Sequence, residues 1–173
     1  MRPWLALGLM LVLAACAQTR GLEGNSKDAV RGDEAQAQLP EYPKPQNFLP
    51  LRVSATTPFE FYVDAKSVGV RNDGVVQYSL IAKSADGTLN VSFEGMHCTE
   101  RKFRIYAFGR PDNTWSEARS SPWQAMPSDS RNAQRAILYS DFFCPARRII
   151  DTPEEGVQAL RSGGHPRAIL SGF

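Results

Sequence analysis

The sequence predicts a single α+β domain, with an antiparallel sheet of four to five strands packed by two helices. Three observations predict it. Apolar and polar residues alternate through most of the stretch from Phe59 to Phe108; the apolar spacing then lengthens to a helical period between about Asp129 and Cys144; and Thr152 opens a second helical segment with its own start and stop signals. A chain of 173 residues with 42% hydrophobic content is large enough for one core.

Taken in order, Phe59, Phe61 and Val63 alternate with Glu60, Tyr62 and Asp64, which is the period of a half-buried strand. Asn72-Asp73-Gly74 is a turn signal, and beyond it Val76, Tyr78, Leu80 and Ala82 alternate with Gln77, Ser79, Ile81 and Lys83. Asp86-Gly87 turns the chain into Leu89, Val91 and Phe93 on one side and Asn90, Ser92 and Glu94 on the other, which completes a hairpin. Phe103 to Phe108 alternates again, and after the Gly109 to Asn113 break Trp115 begins a short return strand. Between about Asp129 and Cys144 the stripe Ala133, Ala136, Ile137, Ser140 and Phe143 predicts an amphipathic helix ending at Cys144-Pro145, with that stripe against the sheet. Thr152-Pro153-Glu154-Glu155 combines a capping hydroxyl, Pro at the first helical position and Glu at the third, so a short helix runs to Arg161 and stops at Gly163-Gly164.

The amino terminus has its own logic. Arg2 supplies a positive charge, Trp4 to Ala15 is an apolar run too short to span a bilayer stably, and small residues close it, which is the secretory signal pattern. Leu13-Ala14-Ala15-Cys16 resembles the lipobox of bacterial lipoproteins. The resemblance implies that residues 1–15 are removed and that Cys16 carries three acyl chains, enough for stable anchoring where one chain is marginal. Ala17 is not the Asp that retains lipoproteins in the inner membrane of enteric bacteria, so the expected place is the outer membrane, facing the periplasm. Residues 16–47 are small and polar and end in Pro40, Pro43 and Pro45; they read as a tether, and residues 48–173 as the globular domain.

Removing Arg2 leaves 19 basic against 18 acidic residues, and the densest basic group is only Arg101, Lys102 and Arg104, so nucleic acid is a poor partner. With Cys16 lipidated, Cys98 and Cys144 remain, and export places them where disulfides persist. The competing reading is a metal site from His97, Cys98, Cys144 and His165, although adjacent His97 and Cys98 suit one strand face poorly.

Asn90-Val91-Ser92-Phe93-Glu94-Gly95-Met96-His97-Cys98, then Arg104-Ile105-Tyr106-Ala107-Phe108-Gly109, then Trp115, Trp123 and Phe142-Phe143-Cys144-Pro145, in that order, resemble the family named for the cryptic neisserial protein. The likeness spans roughly Phe59 to Leu160. It implies a proteobacterial envelope protein with a paired cysteine; it implies no enzyme activity and carries over no functional residue.

The chain contains no Gly-x-Ser-x-Gly elbow, phosphate-binding Gly-rich loop or Cys-x-x-Cys-His haem motif. His165 lies in a Gly-Gly-His-Pro stretch expected to be mobile, and His97 is expected to be structural. Glu94, Glu100 and Asp112 are expected on solvated strand faces and turns; a glycosidase would need two carboxylates at a defined separation. Trp115 and Trp123, with Glu94, form the candidate ligand surface, since an indole offers a flat apolar face for a sugar; the plainer expectation places both indoles at the core edge. The leading functional expectation is a non-enzymatic envelope lipoprotein, anchored through Cys16 and binding a protein or serving in assembly, with no cofactor and no metal. The rival is a periplasmic hydrolase of peptidoglycan or another envelope glycan, with Trp115 and Trp123 lining a groove and Glu94 as the acid.

Overall fold

The computed structural model describes residues 37–54, 57–127 and 132–170, so the expected signal peptide, Cys16 and most of the expected tether lie outside the described residues. The α+β class holds. Eight strands form one sheet: β1 (Phe48–Leu51), β2 (Phe59–Asp64), β3 (Gly69–Val70), β4 (Val75–Ser84), β5 (Leu89–His97), β6 (Lys102–Gly109), β7 (Trp115–Glu117) and β8 (Gln124–Ala125). The neighbours run β1-β2-β4-β5-β6-β7, every pairing antiparallel, with β3 beside β4 and β8 beside β6. Four to five strands is therefore an undercount. The additional β1, β3 and β8 are two to four residues long, too short to carry a period-2 signal. Both turn signals hold: Gly74 and Gly87 take φ of 84° and 88°, the left-handed region that glycine enters without steric cost.

Register sorts the side chains into two faces. Val76, Tyr78 and Leu80 of β4 stand opposite Met96, Glu94 and Ser92 of β5, and this row packs against the helices. The alternate row includes Ile81, Val91, Phe93 and Ala107, all buried on the outer face. A central strand covered on both sides explains why Tyr78, Ser79, Leu80 and Ile81 of β4 are buried in succession instead of at every second residue.

The predicted second helix is present as α2 (Pro153–Ser162); Thr152 Oγ1 accepts from the Glu155 backbone N–H at 3.2 Å, and Gly163 ends the helix at φ 76°. A short α3 (Pro166–Leu170) follows. The earlier helix differs from its expectation. α1 spans only Ala133–Ile137 and then widens into a π turn over Leu138–Phe143, closed by the Cys144 N–H to Tyr139 carbonyl bond at 2.9 Å. The buried residues are Gln134, Leu138, Tyr139, Phe142 and Phe143, while Ser140 of the predicted stripe is exposed. The larger apolar groups take the interior, and the extra residue per turn lets the 138/139 and 142/143 pairs share it.

Residues 37–47 do not behave as free tether. Trp115 Nε1 donates to the Pro40 carbonyl at 2.9 Å, Tyr42 stacks on Trp115 at 5.2 Å between centroids, Tyr42 Oη donates to the Arg110 carbonyl, and Pro43 is buried. A 3-10 turn at Pro45–Asn47 follows, and then β1, which lies at the opposite edge of the sheet from β7. The segment is thus a strap from the β7 edge to the β1 edge, and the turn that ends it is closed by the Asn47 N–H to Lys44 carbonyl bond at 2.9 Å, with Pro45 at the first helical position. The compact unit accordingly begins at Ala37.

Candidate functional site

The disulfide expectation holds. Cys98 follows the last residue of β5, Cys144 follows the π turn, and the two are bonded with Cα atoms 5.3 Å apart. Both are almost wholly buried, and Tyr139 Oη donates to the Cys98 carbonyl at 2.8 Å. The bond consumes both thiolates that the metal reading required.

Glu94 corrects the expectation of a solvated strand face: it is 0% exposed. Its carboxylate takes two hydrogen bonds of 2.7 Å from Nε and Nη2 of Arg135 on α1, a third from Tyr78 Oη at 3.2 Å and a fourth from Ser92 Oγ at 2.5 Å. Arg135 also donates to Asn132 Oδ1 at 2.6 Å and lies 4.7 Å from the Phe103 ring centroid. Burial works against the Arg135 charge, but the hydrogen bonds and charge of Glu94 outweigh it and raise the guanidinium pKa. Burial and the neighbouring Glu94 charge hold the Tyr78 phenol well above its usual range. A fork-to-fork pair with every carboxylate lone-pair direction engaged is a structural tie, not an acid waiting for a leaving group.

The two indoles lie on the opposite side of the sheet. Phe93, adjacent to Glu94 in β5, points away from it, and Trp115 stacks on Phe93 at 6.2 Å while being capped by Tyr42. Trp123 meets the His97 ring edge-on at 5.9 Å and lies 5.5 Å from the Arg104 guanidinium carbon, which in turn lies 5.0 Å from the Tyr106 ring. Tyr42, Trp115, Phe93, Tyr106, Arg104, Trp123 and His97 form one continuous aromatic and cationic ladder on the outer face. Gly95 leaves room for it: a Cβ there would stand 2.4 Å from Tyr106 Oη and within 2.9 Å of its ring. Trp115 and Trp123 are both half-buried, at the core edge, with faces already occupied by protein. The structure does not bring Trp115, Trp123 and Glu94 together in one cleft.

The remaining titratable candidates are also engaged. Glu100 and Asp112 are exposed in turns, as expected; Glu100 pairs with Lys102 at 2.8 Å and Asp112 accepts from Thr114. His97 Nδ1 accepts from the Glu100 N–H at 3.3 Å, a structural role. His165 corrects the expectation of a mobile stretch: it is 4% exposed, its N–H reaches the Asp141 carbonyl at 2.7 Å, and both ring nitrogens are used. Nδ1 accepts from the Arg167 N–H at 3.0 Å, so Nε2 carries the proton it gives to Glu155 Oε1 at 2.8 Å. An open cleft of about 520 Å³ between the β1–β2 loop and β2 is lined by Leu51, Val53, Phe59 and Phe61 beside Glu60, whose carboxylate is already bound by Tyr62 and Lys83.

Two features escaped sequence reading. One is a cluster of buried polar atoms without hydrogen-bond partners among the described residues, Asp64 Oδ1, Ser79 Oγ and Gln77 Nε2; Ser67 Oγ links the first two residues by donating to the Asp64 carbonyl and accepting from the Ser79 N–H. Burial raises the Asp64 pKa, chiefly against the hydrogen bonds and charge of Lys66. The other is backbone strain at non-glycine residues: Arg101, Asn113, Ala146 and Arg147 take φ of 54°, 62°, 52° and 63°. Each such position costs roughly 1–2 kcal/mol for a residue with a Cβ, least for Asn. Three of the four belong to the two turns that the Cys98–Cys144 bond joins.

The model of the CNP1-like family matches residues 27–161. No curated protein and no solved structure matches the chain.

Proposed function

The chain belongs to the CNP1-like family, the one its spaced motifs resemble, and on that premise we propose that it is a non-enzymatic lipoprotein of the bacterial cell envelope, anchored through Cys16 and acting as a binding or assembly module. The observation that carries the reading is the buried Cys98–Cys144 bond, because such a pair persists where thiols are oxidised and not where they are kept reduced. It agrees with the apolar leader and the Leu13-Ala14-Ala15-Cys16 box, which support an exported domain. The missing Asp after Cys16 favours the outer membrane, with the domain in the periplasm and a protein of the envelope as partner. The hydrolase reading has lost its geometric basis: Glu94 is locked to Arg135 under the helices, and the two indoles stand on the other face.

The test is a Cys16→Ser variant expressed in a bacterial host and followed through cell fractionation. The wild type sediments with membranes and the variant moves to the soluble periplasmic fraction. A variant that still sediments with membranes contradicts the anchor.

A further inference from the structure

The disulfide gathers a basic surface that is dispersed in the sequence. Arg101 closes the turn from Cys98 between β5 and β6, where His97 pairs with Lys102, and Arg147 closes the turn from Cys144 through its N–H bond to the Cys144 carbonyl at 2.9 Å. Each turn spans less than about 7 Å between its end Cα atoms, and the bridged Cα atoms are 5.3 Å apart, so the Arg101 and Arg147 Cα atoms are at most about 19 Å apart. Arg148 follows directly. All three arginines are exposed, and none has a carboxylate partner among the described residues; the nearby Glu100 is neutralised by Lys102.

The backbone adds an independent observation. Arg101 and Arg147 occupy left-handed conformations in which glycine would be cheaper, and Ala146 is left-handed as well. The fold bears that strain at two turns, held by the disulfide and by Pro145, and both turns present a guanidinium. The Arg101 guanidinium carbon lies 5.6 Å from the Tyr139 ring centroid, and strain that keeps guanidinium charges without carboxylate partners on the surface points to a use for them.

We propose that Arg101, Arg147 and Arg148 form a docking surface for the phosphate headgroups of an anionic bilayer. Long, exposed guanidinium groups suit a diffuse layer of phosphates, to which each basic group adds about 1 kcal/mol of attraction. The choice of a bilayer as the anionic surface rests on the anchored reading above; the patch itself does not. With the lipid holding the domain near the membrane, such weak contacts set which end of the domain lies against it.

The test uses the purified mature chain, residues 16–173, carrying Cys16→Ser, so that neither the apolar leader nor an acyl chain contributes and a failed anchor cannot be mistaken for a failed patch. It is mixed with vesicles of phosphatidylcholine alone and of phosphatidylcholine with phosphatidylglycerol. The protein partitions onto the anionic vesicles and not the neutral ones, and added salt releases it. Arg101→Gln, Arg147→Gly and Arg148→Gln together lower the partition coefficient on the order of a hundredfold, about fivefold for each group. Arg52→Gln, at an exposed arginine of the β1–β2 loop, leaves it unchanged. Arg147→Gly alone weakens partitioning while raising the thermal midpoint, which separates lost binding from lost folding. Equal binding to neutral vesicles, unchanged binding of the triple variant, or displacement by millimolar inorganic phosphate at constant ionic strength overturns the proposal.

Discussion

Arg135 meets Glu94 through two hydrogen bonds of 2.7 Å, and the carboxylate is wholly withdrawn from solvent. The pair ties α1 to the centre of the sheet, across 41 residues of sequence. Removing one partner leaves the other charge buried, so Arg135→Met is expected to cost about 3–5 kcal/mol in chemical denaturation. Replacing both, as Glu94→Leu with Arg135→Met, is expected to recover most of that loss. A single variant as stable as wild type contradicts the tie.

Asp64 sets a pH dependence of defined sign. Burial raises its pKa, so the folded chain holds this proton more tightly than the unfolded chain. The contribution is unpenalised below the ordinary aspartate value, stability falls as pH rises from that value through the raised one, and above it the cost is constant. Asp64→Asn is therefore expected to raise the denaturation midpoint at pH 7 relative to wild type, with the gain gone at about pH 3, below the ordinary aspartate range. A variant less stable than wild type at pH 7 would show that the carboxylate is satisfied there.

Trp115 holds the strap by one hydrogen bond to Pro40 and by its stack with Tyr42. Trp115→Phe keeps a ring for the stack and removes the donor, at an expected cost of about 1 kcal/mol. The strap can open without the sheet, so hydrogen exchange in residues 37–47 is expected to accelerate while β4 and β5 stay protected. Uniform acceleration over the whole domain, or none, contradicts the strap as a separable latch.

How far the sequence could be read follows from how local each signal is. The β4–β5 hairpin was legible because two long alternating runs flank Asp86-Gly87, and α2 because its cap, its proline and its terminal glycines are all adjacent in the chain. Cys98 and Cys144 were legible by elimination. Glu94 was misplaced because alternation assigns it to a face without saying that helices cover that face, and Arg135 is its partner only in three dimensions. The strap was hidden for a similar reason: its proline-rich composition matches a free linker, and only Trp115, 75 residues later, reveals the dock. The π turn and the buried His165 also depend on tertiary contacts, with Leu138, Tyr139 and Phe142 competing for the interior and Asp141 and Glu155 fixing the histidine.

The most direct test of the envelope reading is intact mass spectrometry, without reductant, of the protein extracted from the membrane fraction of its host. The expected species begins at Cys16, carries the mass of three acyl chains on a diacylglyceryl-cysteine, and is two hydrogens lighter than the fully reduced chain because Cys98 and Cys144 are joined. An unmodified polypeptide beginning at Met1, with free thiols at both positions and found in the soluble cell interior, contradicts it.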